Sequence, residues 1–562
     1  MIKESGLFDP VYYLLTYPDV RIADMDPLTH FLKAGGKEGR NPSANFDAQS
    51  YLRDHPEVRD MGVNPLIHYL RSSEAKAALG SSGNRASNLL TISNFRHALQ
   101  FIKVFGLRVF FSKVKNKLFN RQRHELFSVD QPIQVQNILP RKNYESYSED
   151  VLETFAIKVS VVIPVLNAGN DFPLLIKNYV TQKGFEEIEI VIVDSGSTDN
   201  TVQIARDYGA VVVQIKPEEF THSYARNLGG ETATGDYLFF TVQDALPPNQ
   251  TFLLDLYQTL VANEVSAVSC AETPREDADL FFKQICWNHY NFLGVGNGDR
   301  ITSLPDKCDH QSLRQNGQLA DLANFLPKDI FDQYKFRLNY AEDLDLGIRL
   351  IKDGHKLAFL GSTRIIHSHN RPSWYFLKRG YVDNIFLTDV FPDFEIPHLF
   401  MKDFASDIAY TYNFLGRFIN KLTQLPSGAT PEDFEAVLQI MASSISVYQF
   451  PANISAPQED YLDYKSTEFI LNLITTEGIH KAGAKYDGFL VYAYSGYLHI
   501  TSNYLKNTYE TIDEKLMLDI KNCLCKAFAI VVGAHLAYCY LNRNGQESTN
   551  MDTQHKTLME GV

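Results

Sequence analysis

The sequence is short of cysteine, short of positive charge and without a long uninterrupted hydrophobic run, and each shortage excludes something. Six cysteines stand in 562 residues, none in a CxxC pair. That usage suits reduced thiols in a cytoplasmic protein and excludes a disulfide scaffold. Lys and Arg number 53 against 67 Asp and Glu, a formal net charge of −14. No excess of cations is available to neutralise phosphates, so no nucleic-acid partner is expected, although a local basic patch is allowed. Met1-Ile2-Lys3-Glu4-Ser5 has no apolar core, so no secretory signal is expected. The longest apolar run, Ala527 to Leu541, contains His535. It falls short of the ~20 residues of a membrane span, and a buried helix is expected there.

What is present begins with a tandem repeat. Phe8-Asp9, Tyr13-Leu14, Pro18-Asp19-Val20, Pro27-Leu28 and His30-Phe31-Leu32 recur as Phe46-Asp47, Tyr51-Leu52, Pro56-Glu57-Val58, Pro65-Leu66 and His68-Tyr69-Leu70, every pair offset by 38 positions. Such a period predicts small helical units, here two short helices each, broken at proline. The pair reads as a docking module for an acceptor, a partner or a second copy of the chain, or as a structural appendage. His30 and His68 share one repeat position, which fits packing better than metal binding.

Gly80 to Asn88 is a linker by composition. Leu99 to Arg123 then mixes Phe101, Ile102, Phe105, Val109, Phe110 and Phe111 with Lys103, Arg108, Lys113, Lys115, Lys117, Arg121 and Arg123, and no acid interrupts it. A helix of this kind suits the surface of an anionic membrane. A connecting helix packed on the next domain is the alternative. Ser128 to Phe155 is polar and turn-rich, an irregular lead into the central domain.

That domain opens with three short runs rich in β-branched and aromatic residues: Val159 to Leu166, Ile188 to Val193 and Tyr237 to Val242. Each ends in polar turn residues, and helical spacers separate them. This is the pattern of an α/β sheet of parallel strands with crossover helices, and ligands bind such sheets at the carboxyl ends of the strands. Asn167, Asp194 and Asp244 fall at those ends. A carboxylate at Asp194 can accept from a base N–H or a ribose hydroxyl. One at Asp244 can hold a divalent cation against a diphosphate. Arg226, between them, can bind phosphates through paired hydrogen bonds. Each taken singly is also an ordinary cap or turn residue.

The ensemble resembles family 2 glycosyltransferases. The resemblance rests on VSVVIPVLN at 159–167, EIVIVDSGSTDNT at 189–201, ARNLG at 225–229, TVQDALP at 241–247 and Tyr340-Ala341-Glu342-Asp343-Leu344-Asp345. It implies a GT-A, Rossmann-like nucleotide-diphosphosugar domain. A narrower resemblance to bacterial rhamnosyltransferases of surface polysaccharides rests on Phe220-Thr221-His222, Gln243-Asp244-Ala245-Leu246-Pro247 and Ile365-Ile366-His367-Ser368-His369-Asn370. The resemblance implies nucleotide-sugar contacts at Pro164, Asn167, Asp194, Asp199, Arg226, Gln243 and Asp244. It implies a catalytic base at Asp343, supported by Glu342, and a divalent cation, Mn²⁺ or Mg²⁺, held by Asp244 with His367 or His369. Asp244 matches the last acid of the family's DxD motif. Val242 stands where the first acid belongs, which weakens the protein's own grip on a metal.

The implied reaction is inverting transfer from a nucleotide-sugar donor, dTDP-rhamnose or another activated hexose, to a glycan or lipid-linked acceptor. It is placed in the cytoplasm, with peripheral contact at the inner face of the membrane and oligomerisation through the repeats. A degenerate transferase serving as a scaffold is the alternative from another class. No QxxRW motif comes after the Glu342-Asp343 segment, so a processive, channel-forming synthase is not expected. Gly294-Val295-Gly296-Asn297-Gly298 is not a GxGxxG loop. The expected division is 1–80 helical repeats, 81–157 linker and basic helix, 158–385 transferase domain, 386–545 helical domain and 546–562 polar tail without regular structure. Ahead of the helical domain, Trp374 to Arg379 reads as an acceptor groove or as a core helix joining two domains.

Overall fold

The computed structural model describes residues 27–43, 46–60, 63–71, 138–139, 154–296, 298–394, 401–445, 462–477, 489–543 and 548–560, with a few isolated positions besides. The linker at 80–88 and the basic stretch at 99–123 lie outside the described residues. The chain divides into two units, Met1–Phe110 and Phe111–Val562.

In the first unit the second repeat forms three short helices, Ala48–Asp54, Pro56–Asp60 and Pro65–Arg71, where two are expected. Pro56 ends one helix and starts the next, because a proline has no N–H to lose at a first helical position. Asp47 caps the first of them, accepting from the Ser50 amide at 3.0 Å. His30 meets the Tyr13 hydroxyl through Nδ1 at 3.0 Å, and His68 meets Tyr51 in the same way at 2.9 Å. The repeated histidine is thus a repeated packing bond.

The second unit is built on one sheet. Its strands are β1 (Ile138–Leu139), β2 (Phe155–Val165), β3 (Phe185–Asp194), β4 (Val211–Gln214), β5 (Tyr237–Phe240), β6 (Ala267–Thr273), β7 (Asp299–Thr302), β8 (Asn324–Pro327) and β9 (Leu357–Ile366). Their order is β1-β7-β9-β6-β8-β5-β2-β3-β4. The expected parallel strands are there: β5, β2, β3 and β4 pair in parallel. The sheet as a whole is mixed, because β8 runs antiparallel between β5 and β6. β6 and β9 are parallel to each other. Since β8 reverses direction on both sides, β2, β3, β4, β5, β6 and β9 all point one way. Their carboxyl ends share one edge.

Side chains alternate across the sheet as strand geometry requires. Val161, Ile163 and Phe239 enter one core with Phe172 and Ile176. Val162, Leu238 and Phe240 enter the opposite core with Phe331 and Leu350. Helices cover both faces: α1 (Phe172–Val180), α2 (Thr201–Asp207), α3 (His222–Thr232), α4 (Phe252–Asn263), α5 (Leu280–Phe292), α6 (His310–Gly317), α7 (Lys328–Tyr334) and α8 (Glu342–Lys352).

Seven helices complete the described chain: α9 (Ser373–Val390), α10 (Met401–Leu422), α11 (Pro431–Ile445), α12 (Tyr464–Glu477), α13 (Phe489–Thr508), α14 (Glu514–Leu541) and α15 (Ser548–Met559). α9 carries Trp374, Phe376 and Leu377 inward, as a core helix does. It crosses α14 at backbone distance: a Cβ on Gly533 would overlap the Leu377 carbonyl, and one on Gly380 the Ile530 carbonyl. Among the described residues α14 alone is long and apolar enough to cross a membrane, with a mean hydropathy of 1.6 over its best window, 67% of which is buried in the protein. The expectation of irregular structure after Asn542 is corrected by α15. Met551 and Leu558, two turns apart, are buried, and His555 between them meets the Tyr381 hydroxyl at 2.8 Å.

Candidate active site

The carboxyl edge of the sheet collects the residues singled out from the sequence, and it uses them differently at its two ends. At the β3 end Asp194 closes the strand and is fully buried. Its Oδ1 accepts from the Ser197 amide at 3.0 Å and its Oδ2 from the Gln214 amide group at 3.1 Å. The turn is tight: Gly196 has φ +103°, and a Cβ there would press on Pro217 at 2.9 Å. Asn167, itself left-handed at φ 47°, reaches across from the end of β2. Its Oδ1 accepts from the Thr198 amide at 2.8 Å, from the Thr198 hydroxyl at 3.3 Å and from the Asp199 amide at 3.3 Å. The exposed Asp199 accepts from the Thr201 amide at 3.0 Å and from the Gly169 amide at 3.4 Å. The bonds to Thr201 hold its carboxyl below the usual range. Pro164 lies inside β2, in register with Val193.

The loop after β5 is pinned at every residue from 243 to 246. Gln243 clamps the Leu166 backbone, accepting from its amide at 2.8 Å and donating to its carbonyl at 3.3 Å. Arg275 donates to the Asp244 carbonyl at 2.8 Å. The Tyr179 hydroxyl donates to the Ala245 carbonyl at 2.9 Å. Leu246 and Ile366 exchange backbone hydrogen bonds at 2.8 Å, which sews the loop onto the end of β9. That seam delivers Asp244 to the two histidines beyond β9.

There Asp244 Oδ1 lies 3.6 Å from His367 Nε2, and Asp244 Oδ2 lies 3.5 Å from His369 Nδ1. The two rings meet through their Nε2 atoms at 3.1 Å. One donor atom from each of the three residues falls within 4.8 Å of the others. His367 Nδ1 is 2.7 Å from Glu272 Oε2, at the end of β6. Burial would lower the His367 imidazole, but the hydrogen bond and charge of Glu272, with Asp244 beyond, outweigh it and the net shift is upward. His369 is pushed down to about 4 by burial and by its neighbour His367. A carboxylate and two imidazoles form a donor set that fits a transition-type divalent cation such as Mn²⁺. Mg²⁺ asks for oxygen ligands and fits less well.

A third group gathers at the start of α8. Arg226, on α3, is 1% exposed and points its guanidinium inward. It donates to Glu342 Oε1 at 2.5 Å and, more weakly, to the Asp321 carbonyl at 3.4 Å. Its Nε has no partner among the described residues. Arg226 is thus held on the Glu342 carboxylate instead of standing free at the β3 turn. Asp343 is half-buried and accepts from the adjacent Leu344 amide at 2.8 Å. Burial, with the charges of Glu342 and Asp321, pushes its carboxyl well above the ordinary range. Asp345 is accounted for locally, pairing with Arg349 one turn on at 2.8 Å. The approach to α8 is strained: Lys335, Leu338 and Ala341 have φ of 50°, 68° and 53°. Such non-glycine residues cost ~1–2 kcal/mol each, and the Ser223 hydroxyl ties down the Leu338 carbonyl.

Three residues of this edge, Glu272, Asp321 and Arg275, were not singled out from the sequence. Asp321 is half-exposed, and its salt-bridge partner Arg226 lies 3.8 Å away. It feels the charge of both Arg226 and His367, so it links the α8 group with the histidines. The signal for Glu272 was available, since it lies at the carboxyl end of a β-rich run, Ala267–Thr273, as Asp194 and Asp244 lie at or just past the ends of theirs. Nothing comparable marks Asp321 or Arg275.

Residues 160–316 match the family model for glycosyl transferase family 2. The chain is 24% identical over 220 residues to O-antigen chain rhamnosyltransferase RfbN of Salmonella typhimurium, covering 38% of this chain and 67% of that protein. It is 26% identical over 220 residues to O-antigen chain rhamnosyltransferase WbaN of Salmonella anatum, covering 38% and 66%. The matched segment thus spans about two thirds of the length of these relatives. Among solved structures it is similar to the mannosyltransferase PcManGT of Pyrobaculum calidifontis, in complex with GDP-Man and Mn²⁺. That likeness has 14% identity and a TM-score of 0.35, over 73% of this chain and 98% of that one.

Proposed function

We propose that this chain, a transferase through its family 2 glycosyltransferase domain at residues 160–316, moves a sugar, with inversion and with a divalent cation, onto a growing bacterial surface polysaccharide or lipid-linked glycan. The donor in this reading is dTDP-rhamnose. Its support is the narrower sequence resemblance and the naming of two relatives as O-antigen chain rhamnosyltransferases. The observation that carries the proposal is the convergence of Asp244, His367 and His369 from segments over a hundred residues apart.

In the reaction the acceptor hydroxyl attacks the anomeric carbon from one face, and the bond to the nucleoside diphosphate breaks on the other. Asp343 takes the hydroxyl proton. Its raised affinity for protons makes it a stronger base than an ordinary carboxylate, and a positioned base contributes roughly 10²- to 10⁴-fold. Glu342, buried and paired with Arg226, keeps the start of α8 in place and adds to the charge that raises Asp343. Asp244, His367 and His369 would hold the cation, which when bound stabilises the charge developing on the leaving diphosphate. Pro164, Asn167, Asp194, Asp199 and Gln243 shape the nucleotide side of the edge.

The same proposal keeps residues 158–385 as the transferase domain and 386–545 as a helical domain beside it. It keeps the repeats of 1–80 as a docking or oligomerisation module and 81–157 as a linker with a membrane-facing helix, while 546–562 is a polar tail whose helix α15 packs on α9. In this reading the enzyme is cytoplasmic, with peripheral contact at the inner face of the cytoplasmic membrane.

The test is donor turnover by the purified protein across a panel of nucleotide sugars, with and without Mn²⁺, in the presence of an acceptor mixture. Mn²⁺-dependent turnover of dTDP-rhamnose is expected. Turnover of a UDP- or GDP-sugar instead would keep the chemistry and overturn the donor. No turnover of any donor would overturn the enzymatic reading and favour a scaffold, whose sequence support is Val242 at the first DxD position.

A further inference from the structure

We infer that Glu272 is the positioning residue of the cation site: it fixes His367 with Nε2 turned to the metal and supplies the negative charge that Val242 does not. The inference rests on the reading of Asp244, His367 and His369 as that site.

The geometry is specific. Glu272, the last residue but one of β6, stands in register with Ile365 on β9, two residues before His367. The backbone continues the pairing, since the His367 amide donates to the Thr273 carbonyl at 3.1 Å. The Glu272 side chain is 13% exposed, and Oε2 sits 2.7 Å from His367 Nδ1. A carboxylate is an acceptor only, so Nδ1 carries the proton. The neutral ring then presents the bare lone pair of Nε2, the atom 3.6 Å from Asp244 Oδ1 and 3.1 Å from His369 Nε2. A second carboxylate behind a ligating histidine fixes both the ring orientation and the tautomer, and raises the basicity of the ligand.

Charge gives an independent reason. With Val242 in place of an acid, the three ligands bring one negative charge and two neutral rings to a doubly positive ion. Glu272 adds a second negative charge one imidazole away, which matches the total of a two-carboxylate site. Its effect passes through His367, so truncating it should weaken the ion without removing a ligand.

The experiment is Mn²⁺ titration of the full chain, followed by electron paramagnetic resonance of the free ion, with thermal melting as the check on folding. Asp244→Asn and His367→Ala serve as references. Glu272→Ala is expected to weaken Mn²⁺ by about 10- to 100-fold. The isosteric Glu272→Gln should fall between it and the wild type, because the amide oxygen still accepts from Nδ1 but carries no charge. Val242→Asp placed in the Glu272→Ala background should recover part of the loss. If both Glu272 variants bind Mn²⁺ within about twofold of wild type while the references lose it, the cation site stands and the role of Glu272 is overturned. If the references also bind as wild type does, the site reading and the inference fall together.

Discussion

At the β3 end of the sheet edge the polar side chains satisfy one another, whereas at the β9 end they crowd like charges together. Asp194, Asn167 and Asp199 direct their oxygens to backbone amides between Ser197 and Thr201, in the β3 turn and at the start of α2. That part is finished before any ligand arrives. Around α8 and β9, Asp244, Glu272, Asp321, Glu342 and Asp343 face few cations. Arg226, the buried one, is taken up by Glu342. Crowded carboxylates destabilise a fold unless something neutralises them, and active sites are where such crowding is retained. The two ends share a strand-end position in sequence, so position alone does not tell a turn-former from a chemical group. What the oxygens already bind does.

The largest effect is expected at Asp343. Asp343→Asn should lower the transfer rate by about 10²- to 10⁴-fold while leaving donor binding in place. A rate within a few-fold of wild type would remove the base from the β9 side. Chelation is the next largest effect: removing divalent ions should cost at least ~10-fold in turnover, with Mn²⁺ restoring it better than Mg²⁺ because two of the three donors are imidazoles.

Stability should respond in the opposite sense at the two ends. Asn167→Ala, which takes the acceptor from exposed amides of the β3 turn and puts an alanine at φ 47°, should cost about 1–2 kcal/mol in denaturant unfolding. Asp343→Asn should instead stabilise the protein at pH 8. The folded state raises the affinity of Asp343 for its proton. Its contribution is therefore present below the unfolded carboxylate range and is lost as pH rises through the folded value. The asparagine does not titrate, so the Tm difference should shrink on acidification. A pH-independent difference would contradict the assigned burial. The same shift places the acid limb of kcat/KM above the ordinary carboxylate range: activity should fall with pH as Asp343 gains its proton. The smallest effect is expected for Asp199→Ala, under ~1 kcal/mol, since the group is exposed and only caps a turn.

The strand-end acids were legible because three runs rich in β-branched and aromatic residues announce the strands and each stops at a polar turn. The Glu342-Asp343 pair was legible as a motif at the start of an amphipathic helix. The partners of these residues were not. Arg226 and Glu342 stand 116 positions apart, and their pairing depends on α3 and α8 packing on the same side of the sheet. Arg226 therefore looked free for phosphates when it has a buried partner. The antiparallel β8 was hidden because Asn324–Pro327 is four residues long and ends in proline. α15 was hidden by composition: its polar residues outnumber the Met551 and Leu558 that fix it, and it needs α9 already folded to bury them.

The most direct test of the account is a crystal structure of the protein with Mn²⁺ and a nucleoside diphosphate, read at the manganese absorption edge. A single anomalous peak is expected, bonded to Asp244 and to nitrogens of His367 and His369, with the diphosphate on its open side. A peak at the Asp194 turn, or none near Asp244, would contradict it.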